Sequence, residues 1–344
     1  MLAPNKKIAF RTHISMKVGL GHFSRLESLG SNLKSKIIWF ISGDRKIIKK
    51  VCKKKFFYVG ERYSEDKKVV QYLLKNNIKK VVMDLGFEKN IFSKKIYRIQ
   101  NFYLDSKIKL ISFDDVRQKI MSDISIIPSV SSTRLILKKT KNSKIFCGHE
   151  YNFSLNLKKK QYINNYKSKI KNILISISGT DAEDVGVKIL RLLANKSFKF
   201  TIVSGKRVDF NLKKNKILKK NIKKIKTLSF ISKKNMLNQI KKTDLGICGP
   251  GVIKFDFSIF QKPFVLVLTR KDLKNIQIKE FLKFKNCKTI ITQKNFLRPV
   301  EINKIFEYLK SSKNQNKNIT NSKKFFNVKK LFEKQRVLLK TINN

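Results

Sequence analysis

The residues best suited to chemistry lie near the start of the chain, where Gly19 and Gly21 precede His22. A glycine loop between a strand and a helix lets a ligand approach the backbone, and the N–H groups of the following helix favour an anion such as a phosphate. A histidine at the start of that helix can exchange protons with a substrate beside the phosphate. We therefore predict that His22 is catalytic.

A second strand, glycine turn and helix pattern begins near residue 173. The backbone of Gly179 and Thr180 is a candidate phosphate site. The alternative is that Thr180 and Asp181 cap the helix, and we favour a cap for Asp181 because its carboxylate would repel a phosphate.

A third pattern of the same kind contains Gly249 and Gly251. Asp256 follows about one turn into the predicted helix, where a carboxylate can accept both hydroxyls of a ribose. The alternative is a solvated helix acid.

Other polar candidates stand at the predicted carboxyl ends of strands, where ligands bind in parallel sheets. Asp84, Asp114 and Asp115 are in such places and are either ligand contacts or turn and cap residues. His13 lies in the first glycine loop, and His149 lies near the predicted domain boundary.

Strand-like and helical patterns alternate along the chain, which predicts an α/β protein with parallel sheets. The predicted strands are residues 7–10, 37–41, 80–84, 109–113, 124–127, 173–177, 200–203, 244–248, 264–268 and 289–292. The predicted helices are residues 22–34, 64–77, 90–101, 183–195, 232–242, 252–261, 275–285 and 301–311. The strand runs are continuously apolar, as expected where both faces are covered.

This alternation predicts two Rossmann-like domains, at residues 1–150 and 172–310. A polar linker at 151–171 joins them. Residues 311–324 have almost no apolar side chains and predict a flexible connector, followed by an amphipathic helix within 325–344.

Composition narrows the functional class. Of 344 residues, 79 are Lys or Arg and 23 are Asp or Glu, which gives a net charge of +56. The lysines are spread over the whole chain and outnumber the arginines preferred in nucleic-acid contacts, so we predict a solvated lysine surface and no specific nucleic-acid partner. A basic nucleic-acid-binding protein is the alternative.

The chain has four scattered cysteines and no apolar run of the roughly 18 residues that span a bilayer. We therefore expect a cytoplasmic protein without disulfides or a zinc site. We also expect a monomer that uses no metal or cofactor.

Several segments, taken together and in order, resemble those of one family. They are residues 8–11, 19–25, 111–115, 147–151, 178–181 and 249–256, with Asn275 and Gln277. The family is that of UDP-2,4-diacetamido-2,4,6-trideoxy-β-L-altropyranose hydrolase, from pseudaminic acid biosynthesis, and of related spore coat polysaccharide proteins. The resemblance covers nearly the whole chain. It implies a GT-B fold with a cleft between two Rossmann-like domains, the nucleotide being held mainly by the second domain.

The resemblance also implies that His22 activates water at the anomeric carbon of a UDP-sugar. It implies substrate contacts from Arg11, Gly19, Gly21, Arg25, Asp114, Tyr151, Gly179, Thr180, Gly249, Gly251, Val252, Asp256, Asn275 and Gln277. UDP is a good leaving group, and helix N-termini can stabilise its charge, so no metal is required.

Three positions depart from the family pattern: His13 replaces an Asp, Asp256 replaces a Glu, and Ile276 separates Asn275 from Gln277. The sugar therefore stays open. A GT-B glycosyltransferase is the nearest alternative, and it would need an acceptor surface such as the aromatic run at residues 56–58.

Overall fold

The computed structural model describes residues 7–15, 18–61, 65–85, 92–113, 121–128, 143–153, 170–177, 184–204, 215–229, 231–292 and 297–344. The chain divides into two compact units. Unit 1 contains residues 1–156 and 330–344, and unit 2 contains residues 157–329.

Unit 1 is built on a parallel seven-stranded sheet with the strand order β3-β2-β1-β4-β5-β6-β7. Its strands are β1 (Lys7–Ile14), β2 (Lys36–Gly43), β3 (Phe56–Tyr58), β4 (Lys80–Asp84), β5 (Lys109–Phe113), β6 (Ile124–Ile127) and β7 (Lys144–Cys147). Its helices are α1 (Gly21–Gly30), α2 (Arg45–Val51), α3 (Asp66–Lys75) and α4 (Phe92–Asp105). Apolar side chains cover the sheet; in one cluster Ala9, Val81 and Leu110 from three strands pack against Leu73 and Tyr103.

Unit 2 has a parallel six-stranded sheet with the strand order β10-β9-β8-β11-β12-β13. Its strands are β8 (Asn172–Ser176), β9 (Lys199–Ser204), β10 (Ile225–Ser229), β11 (Leu245–Cys248), β12 (Phe264–Thr269) and β13 (Lys288–Thr292). Its helices are α5 (Val185–Leu193), α6 (Lys216–Lys220), α7 (Lys233–Lys242), α8 (Ile253–Ile259), α9 (Ile276–Lys283), α10 (Pro299–Lys310) and α11 (Ser312–Phe325). The core under α5 contains Ile175, Leu190, Phe200 and Ile247.

The last helix, α12 (Val328–Asn343), belongs largely to unit 1. This agrees with the predicted terminal helix. The prediction of a flexible connector over residues 311–324 is wrong, because that segment forms α11. Composition indicated a loop, but Ile319 and Phe325 are buried against neighbouring elements, and burial of one helix face outweighs low intrinsic propensity.

The short edge strands β3, β7 and β10 and the short helices α2 and α6 were not predicted. Each has five residues or fewer except α2, which has seven, so the hydrophobic pattern of each is short. Among the described residues, no helix combines the length and the apolar character needed to cross a membrane.

Candidate functional site

The candidate site in unit 1 lies where the strand order reverses. β1 pairs with β2 on one side and with β4 on the other, and Thr12 of β1 is in register with Asp84 of β4. In open parallel sheets, ligands bind outside the carboxyl ends of strands at this switch point. His22 is the second residue of α1, the helix that follows β1, and Asp84 is the last residue of β4.

The first glycine loop has the backbone that the sequence predicts. Gly19 has a positive φ of 81°, which favours glycine, and its N–H donates to Ser15 O at 2.7 Å. Leu20 precedes α1 and has no polar side-chain group to cap it. In the described part of the chain, nothing lies within 4 Å of a Cβ built on Gly21. The loop therefore leaves space beside a helix N-terminus to which Leu20 supplies no side-chain hydrogen bond, and such a terminus favours an anion.

His22 is paired with a buried carboxylate. Its Nδ1 lies 2.6 Å from Oδ1 of Asp84, and the exposed fractions of the two side chains are 27% and 1%. An ionised carboxylate only accepts hydrogen bonds, so Nδ1 carries the proton. The other nitrogen, Nε2, is then the basic one. The pair has the arrangement of a histidine base oriented by an acid.

The ionised state of Asp84 follows from its neighbours. Burial alone would raise the pKa of this carboxyl, but the charges of Arg25 and His22 and their hydrogen bonds together lower the pKa below its ordinary value. Asp84 is therefore an anion at neutral pH.

Arg25 holds the same carboxylate from α1. Its Nε donates to Oδ2 of Asp84 at 2.8 Å, and its Nη2 donates to Oδ1 at 2.8 Å. Nη2 also lies 2.9 Å from Nδ1 of His22. Because the proton on Nδ1 points to the carboxylate, this last distance is a close approach and not a hydrogen bond. The guanidinium also lies 5.4 Å from the ring centre of Phe113.

Arg11, which we predicted to contact substrate, is engaged by other side chains of unit 1. Its side chain is fully buried, and it donates to both carboxylate oxygens of Asp66 at 2.8 and 3.0 Å. Tyr103 donates to the same carboxylate at 2.7 Å. Ser42 accepts from Arg11 and contacts Nδ1 of His13 at 3.0 Å. Arg11 and His13 are therefore parts of a buried polar network.

The second described glycine loop, residues 249–252, lies at the switch point of unit 2, between β8 and β11. A Cβ at Gly249 would lie 2.0 Å from the carbonyl oxygen of Ile177, so the backbones approach too closely for any other residue. At Gly251 no described atom lies within 4 Å of such a Cβ. Val252 is half-buried and directly precedes α8. The loop is thus tightly packed at Gly249 and has open space at Gly251.

One lysine is hydrogen-bonded to this loop, and a second is paired with the helix that follows it. Lys254 donates to the carbonyl oxygens of Pro250 at 2.6 Å and Gly251 at 3.0 Å. Lys233 forms a buried ion pair with Asp256. Asp256 is therefore not the solvated helix acid of our alternative, and its carboxylate is engaged by a lysine where we predicted ribose hydroxyls.

The remaining predicted contacts have structural roles of their own. Asn275 caps α9 by accepting from Gln277 N at 2.9 Å, and both residues are half-buried. Tyr151 is buried and packs edge-on against Phe146. Burial and the nearby charge of Glu150 raise the pKa of Tyr151 to about 12. Nδ1 of His149 lies 3.7 Å from Oε2 of the same Glu150.

The predicted residues Asp114, Asp115, Gly179, Thr180 and Asp181 lie outside the described residues. Within the described ranges, no group of three or more His, Cys, Asp or Glu side chains is arranged to hold a metal ion.

The sequence matches the Glycosyltransferase family 28 C-terminal domain over residues 184–336. It is also 29% identical over 297 residues to the protein MJ1062 of Methanocaldococcus jannaschii, a match that covers 80% of this chain and 58% of that protein. The chain therefore spans less than two thirds of the length of this relative.

Solved structures with low sequence identity share the architecture. S. aureus MnaA, in a co-structure with UDP, has a TM-score of 0.59 at 13% identity, covering 92% of this chain and 91% of that one. The M. jannaschii UDP-GlcNAc 2-epimerase, in complex with UDP-GlcNAc and UDP, has a TM-score of 0.56 at 13% identity, covering 94% and 99%. Acinetobacter baumannii MurG has a TM-score of 0.55 at 11% identity, covering 92% and 95%.

The chain has a GT-B-type fold. Two parallel-sheet α/β units and a helical C-terminus agree with this class, as the sequence predicts. At these identities the likeness is one of fold.

The sequence predicted a catalytic role for His22 and a substrate contact for Arg25, and it left the role of Asp84 open. A signal was present, since Asp84 ends an apolar run and the alternating pattern predicts parallel strands. What was missing was the adjacency of β4 and β1, which is a property of the sheet order.

Proposed function

We propose that this protein hydrolyses a UDP-linked 2,4-diacetamido-trideoxyhexose to UDP and the free sugar, in the synthesis of a pseudaminic-type nonulosonic acid. The observation that carries the proposal is the His22–Asp84 pair at the switch point of unit 1. It supplies an oriented, partly exposed base beside an uncapped helix N-terminus. The fold supports the nucleotide-sugar class, because S. aureus MnaA was solved with UDP and the M. jannaschii epimerase with UDP-GlcNAc and UDP.

In the proposed reaction, Nε2 of His22 removes a proton from water as the water oxygen attacks the anomeric carbon. The bond from that carbon to the diphosphate oxygen breaks, and the electron pair leaves with UDP. Asp84 stabilises the imidazolium that forms, since its carboxylate accepts the hydrogen bond from Nδ1–H. The proton on Nε2 is then released to solvent, and the anomeric configuration is inverted.

The diphosphate needs positive partial charge rather than a strong acid, because a terminal phosphate has a second pKa of about 6. Two separate candidates could supply backbone N–H groups, either the first turn of α1 in unit 1 or the open loop at Gly251 in unit 2. We assign no role to a metal ion, and the assay below includes EDTA to test this.

The test is release of UDP from UDP-2,4-diacetamido-2,4,6-trideoxyaltrose in the presence of EDTA, with UDP-N-acetylglucosamine as a second substrate. Wild type should release UDP and free sugar. His22→Ala should lower kcat by roughly 100-fold or more, because general base catalysis contributes about 10²–10⁴. His149→Gln is the matched control, since β7 and His149 lie at the far edge of the sheet from β1. Equal rates for His22→Ala and wild type would overturn the assignment of the base.

A GT-B glycosyltransferase is the second candidate, favoured by the match to the family 28 C-terminal domain. The same base would then deprotonate an acceptor hydroxyl instead of water. Tight UDP binding without release of free sugar, together with sugar transfer when an acceptor is added, would select this candidate.

A further inference from the structure

Arg25 is engaged inside the protein. Both oxygens of Asp84 receive a hydrogen bond from its guanidinium, and Asp84 is only 1% exposed. A planar fork on a carboxylate fixes the orientation of both groups, which a lysine cannot do in the same way. Arg25 therefore uses this fork to orient Asp84.

Arg25 and His22 reach Asp84 from one helix. They are three residues apart on α1, so they lie on the same face, while Asp84 ends the neighbouring strand β4. Phe113, at the end of β5, contacts the guanidinium. Movement of Arg25 would thus change the direction in which Oδ1 of Asp84 meets Nδ1.

The charge of Arg25 has a second effect. Burial favours the neutral form of Asp84, and Arg25 is the foremost influence that lowers its pKa. An ionised carboxylate held in a fixed orientation accepts the hydrogen bond that keeps the imidazole proton on Nδ1, and without that acceptor the proton can lie on Nε2. That tautomer has no free base directed to water.

We propose that Arg25 is a positioning residue that orients the carboxylate of Asp84, and so sets the tautomer of His22. The proposal rests on the proposed function only for its catalytic consequence. The tautomer is a property of the free protein and is measured without substrate.

The experiment is long-range ¹H–¹⁵N NMR of histidine-labelled protein, which has only three histidines to assign. Spectra are recorded as a pH series, and the tautomer is determined at the alkaline end, where the nitrogen shifts of His22 no longer change with pH. Wild type should show His22 with the proton on Nδ1. Arg25→Met should shift His22 to a mixture that includes the Nε2–H tautomer, and Asp84→Asn should do the same. Arg45→Met is the matched control, because Arg45 lies over the ring of Tyr58 and not at Asp84.

Kinetics separates positioning from substrate binding. For Arg25→Met we expect kcat to fall about 10- to 100-fold with KM within about twofold, since the lost interaction acts on the base. Arg25→Lys keeps the charge without the fork and should retain a larger share of kcat, and it replaces Arg25→Met if that variant does not fold.

Two results would overturn the proposal: an unchanged His22 tautomer in both Arg25 variants, or a loss that appears in KM alone. If wild type releases UDP from no sugar, the proposed function fails, and the NMR result still decides the role of Arg25.

Discussion

At the scale of single residues, identical side chains have opposite roles according to what surrounds them. Arg25 is 21% exposed and reaches the end of β4, whereas Arg11 is fully buried against Asp66. Each arginine donates hydrogen bonds to both oxygens of one aspartate, so residue type alone does not distinguish the two pairs. Removing Arg11 would leave the buried Asp66 uncompensated, which in proteins typically costs about 3–5 kcal/mol. Arg11 is therefore expected to contribute to folding, whereas Arg25 lies at the candidate site.

The two loop glycines of unit 2 give a matched pair of variants. Gly251→Ala adds a methyl group into space that no described atom occupies, so the melting temperature should stay near that of wild type. If the UDP diphosphate approaches this backbone, the same methyl should weaken UDP binding by at least about tenfold, or 1.4 kcal/mol. Calorimetric titration with UDP measures the affinity.

Gly249→Ala is the contrasting variant, because its methyl would meet the Ile177 carbonyl oxygen. It should lower the melting temperature whether or not UDP binds there. Unchanged UDP affinity in a stable Gly251→Ala protein would remove this loop from the proposed site.

At the scale of elements, the last two helices show how tertiary contacts decide local structure. α11 is rich in asparagine and lysine, yet Ser311 caps its start and Gln315 donates to Tyr308 O at 2.6 Å. Asn318 and Asn321 both donate to Lys285 O, at 2.7 and 2.9 Å. The polar side chains that indicated a flexible segment are thus hydrogen-bonded to unit 2.

α12 is fastened to unit 1 at Glu150. Nζ of Lys334 donates to Oε1 of Glu150 at 2.6 Å, and Nε2 of Gln335 donates to the backbone oxygen of Glu150 at 2.7 Å. Near the end of the helix, Lys80 donates to Ile342 O and Asn343 O. Burial alone would raise the pKa of Glu150, but the hydrogen bond from Lys334 and the neighbouring His149 lower it below its ordinary value.

This ion pair predicts a pH-dependent contribution to stability. Because the pKa of Glu150 is lower in the folded state, the contribution is present above the ordinary value of 4.5 and is lost as the pH falls through the lowered pKa. Lys334→Ala should lower the free energy of unfolding by about 1 kcal/mol at pH 7. The difference from wild type should shrink below pH 4.5.

Thermal unfolding between pH 3 and pH 7 measures this difference. Lys329→Ala, an exposed lysine on the same helix, is the control and should match wild type at every pH. A constant deficit for Lys334→Ala across the range would show that packing of the lysine stem, and not the charge of Glu150, is responsible.

At the scale of the whole molecule, the net charge of +56 favours the binding of polyanions. In the described ranges, several acidic residues are already paired with basic ones inside each unit, as in the pairs Arg11–Asp66, Lys334–Glu150 and Lys233–Asp256. Among the described lysines, only Lys233, Lys254 and Lys262 are buried, and the others are at least partly exposed, where they attract polyanions without sequence preference.

Binding to a random-sequence oligonucleotide should therefore fall by more than about tenfold as salt rises from roughly 50 to 200 mM. UDP affinity should change much less, because the proposed contacts are mainly backbone N–H groups at loops and helix ends. Fluorescence anisotropy of the oligonucleotide and calorimetry of UDP, over one salt series, compare the two. Sequence-selective oligonucleotide binding that persists at high salt would favour the nucleic-acid alternative.

The sequence by itself determined what depends on neighbouring residues in the chain. Continuous apolar runs and helical periodicity predicted most strands and helices and the α/β class, and the glycine loop singled out His22. These signals are local, because periodicity and backbone freedom are set within a few residues.

Only the tertiary structure decided which distant side chains meet. His22 and Asp84 are 62 residues apart, and they pair because β4 lies beside β1 in the sheet. The same holds for the burial of Arg11 against Asp66 and of Asp256 against Lys233, and for the packing that makes α11 a helix. The free energy of each of these contacts depends on burial and on a partner from another element, and neither is present in a stretch of sequence read alone.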